Sequence, residues 1–136
     1  AILCYYAQIA EKAGTALEIQ AQMEKEIPVP EPEFCVLLGN LLENAVDACR
    51  ENKESGAIKV HIRQTGTSLI AITVDNPCRK SPVLEGKRFL STKHSGLGIG
   101  TQSIRLIAER HRGDARFEWK NGMFYASVIL IPSAEA

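Results

Sequence analysis

The chain is 136 residues long, the length of one domain, with 45% hydrophobic and 24% charged residues. That composition supports a buried core and excludes a disordered tail, a collagen-like fibre and a low-complexity linker. Its 16 Lys+Arg cancel its 16 Asp+Glu, so no global charge draws it to nucleic acid or to an acidic membrane.

Ile2, Leu3, Tyr6, Ile9, Ala10 and Ala13 recur at helical spacing and predict a first helix over 2–13, with Gly14 as its stop. Leu17 and Ile19 alternate with Glu18 and Gln20, the pattern of a half-buried strand. Pro28, Pro30 and Pro32 predict a stiff extended connector. Glu31 and Glu33 suit the first turn of the next helix, where carboxylates favour the positive end of the dipole. That helix is expected over about 33–52, with Gly56 ending the connection.

From Ile58 the period becomes two. Ile58, Val60 and Ile62 face one way, and Lys59, His61 and Arg63 the other. A turn at 65–68 returns the chain through a second strand whose core side is Ile70, Ile72 and Val74. Residues 76–97 show no sustained period and read as a long loop, a kind of segment that is usually functional. The loop is basic: Arg79, Lys80, Lys87, Arg88 and Lys93 stand against Glu85 alone, whereas 1–55 is acidic on balance. A helix is expected from near Gly98 to His111, with Gly113 just past it, then a hairpin of 115–119 and 123–131 about Asn121-Gly122. There is no internal repeat. The expectation is one α+β domain over 1–136: a two-layer sandwich with a mixed, mostly antiparallel sheet of about five strands and three helices on one face.

Cys4, Cys35, Cys49 and Cys78 lack the short spacings of zinc or redox motifs and are expected to be free thiols in a reducing compartment. No apolar run approaches the roughly 20 residues that span a bilayer, and no signal peptide stands out. The first residue is Ala, so the chain is expected to be a piece of a longer protein.

Three features are candidates for chemistry. Asn40, Asn44 and Asp47 share one stripe of the second helix, opposite Leu38, Leu41, Leu42, Ala45 and Cys49. Short polar residues and Gly39 are poor helix formers there, so the stripe is either a ligand face or a plain solvent face. Ser95-Gly96-Leu97-Gly98-Ile99-Gly100 opens a helix, where backbone N–H groups and the dipole favour phosphate; the alternative is a hinge. It has neither the Lys-Ser/Thr ending of a P-loop nor the strand context of a dinucleotide fingerprint. Asp75-Asn76-Pro77 ends a strand, either as an acceptor for an exocyclic amino group or as an Asx turn.

In order along the chain, Leu41-Leu42-Glu43-Asn44-Ala45-Val46-Asp47-Ala48, Asp75-Asn76, Ser91-Thr92-Lys93 and Gly96-Leu97-Gly98-Ile99-Gly100 resemble the GHKL ATPase/kinase superfamily. The likeness is nearest to the catalytic domain of Agr- and citrate-sensor-type histidine kinases and covers nearly the whole chain. It implies the Bergerat ATP-binding fold and a lid over about 77–95. It also implies that Asn44 holds Mg²⁺ against the ATP phosphates and that Asp75, flanked by Asn76, accepts from the adenine amino group. Ser95, Gly96, Leu97, Gly98, Ile99 and Gly100 would bind phosphate, with Lys93 and His94 beside it in the lid and Asp47 supporting the adenine side. Two departures stand out: Asp75-Asn76-Pro77-Cys78-Arg79 replaces Asp-x-Gly-x-Gly, and position 40 is Asn where hydrolytic members carry Glu. Asn40 and Asn44 are thus the catalytic candidates of an ATP-dependent histidine kinase. Its acceptor His would lie on a separate dimerisation helix rather than at His61, His94 or His111. The implied partners are that helix and a response regulator, the implied location the cytoplasmic side of a membrane-bound sensor. An ATPase driving a conformational cycle and a non-catalytic nucleotide-sensing or partner-binding module are the alternatives.

Overall fold

Period-two runs of β-branched residues form the centre of a sheet in the computed structural model, which describes residues 8, 11, 15–24, 27–51, 56–66, 68–78, 83–85, 88–90 and 99–132. In chain order the elements are β1 (Thr15–Gln22), α1 (Glu31–Glu51), β2 (Gly56–Thr65), β3 (Leu69–Pro77), β4 (Val83–Glu85), β5 (Arg88–Leu90), α2 (Ile99–Arg110), β6 (Asp114–Lys120) and β7 (Met123–Leu130). The main sheet has the order β1-β2-β3-β7-β6, and β4 pairs with β5 separately. β1 runs parallel to β2, as a connection through a crossover helix requires; the other pairs are antiparallel. A mixed five-stranded sheet with helices is therefore the observed architecture.

Alternation sorts the side chains. Ile58, Val60, Ile62, Ile70, Ile72, Val74, Val128 and Leu130 fill the inner face. Against them α1 sets Phe34, Leu37, Leu38, Leu41, Leu42 and Ala45, and α2 sets Ile104 and Ala108. Each large side chain so buried contributes about 1.5–3 kcal/mol, which is what holds both helices to this face. Lys59, His61 and Arg63 lie on the exposed outer face.

The helix and strand bounds depart from the sequence expectation in places. α1 starts at Glu31, so Pro32 belongs to its first turn rather than to the connector. A proline fits there because its missing N–H is one that a first turn leaves unpaired anyway. The Phe34 N–H closes that turn on the Pro30 carbonyl at 3.0 Å. The segment expected to be loop carries β4 and β5, an antiparallel pair of three-residue strands too short to show a period. The expected first helix lies outside the described residues except for Gln8 and Glu11, which are helical.

Two glycines have distinct physical reasons. Asn121 (φ 50°) and Gly122 (φ 79°) form the primed turn that a two-residue hairpin needs. Gly113 serves close approach: a Cβ there would lie 1.6 Å from the Ile129 carbonyl oxygen. The left-handed residue after α2 is Arg112 (φ 60°), and the Gly113 N–H returns to the Ala108 carbonyl at 2.8 Å.

Candidate functional site

At about 100° per residue, Val36, Asn40, Asn44 and Asp47 fall on one stripe of α1, within about 80° of one another. Val36 lines a groove of about 320 Å³ between the helices, with Pro32, Glu33, Ser103, Leu106, Ile107 and Arg110. One end of the groove is clamped by charge. The Glu33 Oε1 accepts from the Arg110 guanidinium at 3.0 Å and from the His111 Nε2 at 3.1 Å. The His111 hydrogen bond, helped by Arg110, holds the Glu33 carboxyl below its ordinary value of 4.5.

That clamp sets the start of α1 beside the end of α2, so the helices run antiparallel. Stepping equally along both from the clamp, at about 1.5 Å per residue, brings Asn40 and Asn44 level with the first turn of α2, 99–103. The groove is apolar near Val36 and Leu106 and carries Ser103 at its α2 N-terminal side. Asn40, Asn44 and Asp47 are half-buried. The N-terminal end of a helix carries partial positive charge and N–H donors without intrahelical partners.

The exit of β3 supplies the other side. Ile70, Ile72, Val74 and Asn76 alternate inward, and Asn76 is 1% exposed. Its Nδ2 donates to the Pro77 carbonyl at 2.9 Å, leaving its amide oxygen as an acceptor. The same carbonyl lies 3.8 Å from the Cys49 thiol of α1. The next residue is pinned on both sides: the Cys78 N–H donates to the Gly122 carbonyl at 2.8 Å, and the Trp119 indole N–H donates to the Cys78 carbonyl at 2.7 Å. The chain therefore enters the 79–98 segment from a fixed point.

Asp75, expected to meet adenine, lies on the outer face of the sheet. It registers with Lys59 and Tyr125 on the outer surface of the sheet, away from α1 and α2. Partial burial pushes its carboxyl up from 3.8, against the pull of His61 and Lys59. The inward residue is its neighbour Asn76. The signal was present in the alternation of Ile70, Ile72 and Val74, which puts the next even position on the core side.

Lys93, His94, Ser95, Gly96, Leu97 and Gly98 lie outside the described residues, and Ile99 and Gly100 open α2. Cys35, Cys49 and Cys78 take part in no disulfide. Among the described residues no group of three His, Cys, Asp or Glu side chains could hold a metal ion by itself. No described helix is long and apolar enough to cross a membrane.

A family model described as "GHKL domain" matches residues 31–132. A "Probable C4-dicarboxylate sensor kinase" of Bacillus subtilis (strain 168) is 29% identical over 109 residues, covering 76% of this chain and 20% of the relative. The chain thus spans about a fifth of that protein's length. Among solved structures, the nucleotide-free catalytic domain of histidine kinase ThkA superposes with a TM-score of 0.75 at 18% identity, covering 98% of this chain and 89% of that one. The mycobacterial sensor histidine kinase MprB gives 0.71 at 12% identity, covering 96% and 91%. At these identities the structural likeness is one of fold.

Proposed function

The chain belongs to the GHKL domain family, and on that premise we propose that it is the ATP-binding catalytic domain of a sensor histidine kinase. It would transfer the γ-phosphoryl of Mg·ATP to a His on a separate dimerisation helix. The observation that carries this reading is the half-buried polar stripe of α1, with Asn40 and Asn44 level with the first turn of α2, where a triphosphate would meet both amide oxygens and helix-end donors. Asn76, inward and buried, takes the adenine amino group in place of Asp75. Gly96, Gly98 and Gly100 would let the backbone approach the phosphates, with Lys93 and His94 beside them in the lid.

The donor set suits Mg²⁺. This ion keeps near-octahedral oxygen coordination, usually through one or two side chains plus substrate phosphates, and not through a cage built by the protein alone. Asn44 would hold it through its side-chain oxygen. When bound, the ion neutralises charge on the phosphoryl oxygens. The chain itself contributes position. Asn40 holds no proton-accepting carboxylate one turn before Asn44, so water at that point lacks a general base and an external acceptor is favoured over hydrolysis. His61 lies on the outer face of the sheet and His111 is engaged with Glu33, so neither serves as that acceptor. The acceptor helix, a response regulator and a membrane-anchored parent with this domain on its cytoplasmic side complete the proposal.

Thermal unfolding with ATP, with and without Mg²⁺, tests nucleotide binding; no stabilisation at millimolar Mg·ATP overturns the reading. Phospho-His on the parent protein's own helical segment identifies the kinase. Release of free phosphate alone identifies a hydrolytic ATPase instead.

A further inference from the structure

The outer face of the sheet, away from α1 and α2, is complementary to itself. Strand register across β2, β3, β7 and β6 sets three rows of side chains on it: Lys59-Asp75-Tyr125-Glu118, His61-Thr73-Ser127-Arg116 and Arg63-Ala71-Ile129-Asp114. These positions point outward, because the residues between them along the central strands, Val60, Ile62, Ile72, Val74, Ala126 and Val128, are buried. The charged residues at both ends of every row are exposed. Ile129 is 41% exposed on this face, and Ile131, two residues further on, is 44% exposed. Together they leave apolar area in water in the middle of a charged surface.

Read end to end in reverse, each row supplies partners for itself. Lys59 falls opposite Glu118, Asp75 opposite Tyr125, Arg63 opposite Asp114, and Ala71 opposite Ile129. We propose that this face packs on the same face of a second copy of the chain, about a two-fold axis that runs along the strands between β3 and β7, midway between the two sheets. That operation lays β2 over β6 of the second copy and β3 over β7, so every match occurs twice. Packed sheets lie about 10 Å apart with strands crossing at about 30°, a gap that the long side chains at the row ends are able to bridge. The Tyr125 hydroxyl donates to the Asp75 carboxylate of the second copy, while Thr73 and Ser127, small at the centre, let the sheets approach. Asp114 holds Arg116 through Oδ2 at 3.2 Å, and a carboxylate has about four lone-pair sites, so it accepts from Arg63 of the second copy as well. His61 faces Arg116, to which a neutral imidazole offers an acceptor. The patch measures about 20 by 20 Å, half of the about 800 Å² per partner in a standard interface. The dimer is therefore weak, and it gains from any tether that raises the local concentration of two copies. Pairing through this face leaves the α1–α2 groove of both copies open.

Sedimentation of the 136-residue chain over increasing concentration, to about 1 mM, tests this. The expected result is a reversible dimer that weakens as salt rises. Lys59→Glu and Glu118→Lys, each placing like charges opposite one another twice, should weaken dimerisation about tenfold. The double variant K59E/E118K should restore it to within about threefold of the parent chain. Ile129→Lys, which sets a charge against Ala71 at the centre of the contact, should leave the chain monomeric over the whole range. Unfolding at low concentration shows that each variant retains the monomer fold. A parent chain that stays monomeric, single variants that dimerise as well as the parent, or a double variant that is not rescued would each overturn the proposal. So would a dimer that persists in Ile129→Lys, because it would use another surface.

Discussion

Asn76→Ala should cost nucleotide affinity, and Asp75→Asn should not. Asn76 is 1% exposed on the inner face, whereas Asp75 registers with Lys59 and Tyr125 outside. Removing the amide oxygen leaves a buried adenine amino group without an acceptor, a loss of about 1–3 kcal/mol. At about 1.4 kcal/mol per decade this weakens binding by about 5- to 150-fold. The variant also loses the Nδ2 bond to the Pro77 carbonyl, about 1 kcal/mol of stability, so affinity must be measured by calorimetric titration well below the unfolding transition. For Asp75 the expected change in affinity is under about twofold. Its folded pKa is raised above 3.8, so its contribution to stability falls as pH rises from 3.8 through the folded value. Asp75→Asn at neutral pH should therefore be as stable as the parent or more so. Loss of nucleotide binding in Asp75→Asn, with binding retained in Asn76→Ala, would refute the strand-parity reasoning.

Asn44→Ala should abolish the Mg²⁺-dependent part of the ATP-induced thermal shift. The nucleotide-free protein should be unchanged or more stable by about 0.5 kcal/mol, because Ala is the better helix former. Gly113→Ala should destabilise by about 3 kcal/mol or more, since the new Cβ meets backbone that no rotamer change can move; denaturant titration showing less than about 0.5 kcal/mol would deny the close approach to β7. The Glu33 carboxyl is held below 4.5 by His111 and Arg110, so its contribution is present above 4.5 and is lost as pH falls through the lower folded value. Glu33→Gln should flatten the acid limb of stability against pH, and an unchanged limb would mean the clamp contributes nothing.

Local pattern determined most of the architecture. Alternation in Ile58-Val60-Ile62 and Ile70-Ile72-Val74 requires one apolar face, and Asn121-Gly122 requires a primed turn, because both depend on neighbours in sequence. The stripe Asn40-Asn44-Asp47 and Gly100 in the first turn of α2 were likewise legible as spacing. Residue order also made Asp75 the natural acceptor by chemistry, since a carboxylate accepts more strongly than an amide. Only the register of β3 between β2 and β7 put Asp75 on the outer face and Asn76 on the inner one, because one step along a strand reverses the face on which a side chain lies. Tertiary packing likewise supplied the antiparallel match of α1 and α2, through a clamp between Glu33 and two residues distant in sequence, Arg110 and His111. It also supplied the reason for Gly113, which looked like a helix stop and is a point of contact with β7. Sequence sets periodicity and local chemistry. Which groups then face one cleft follows from long-range pairing, and no local spacing carries that information.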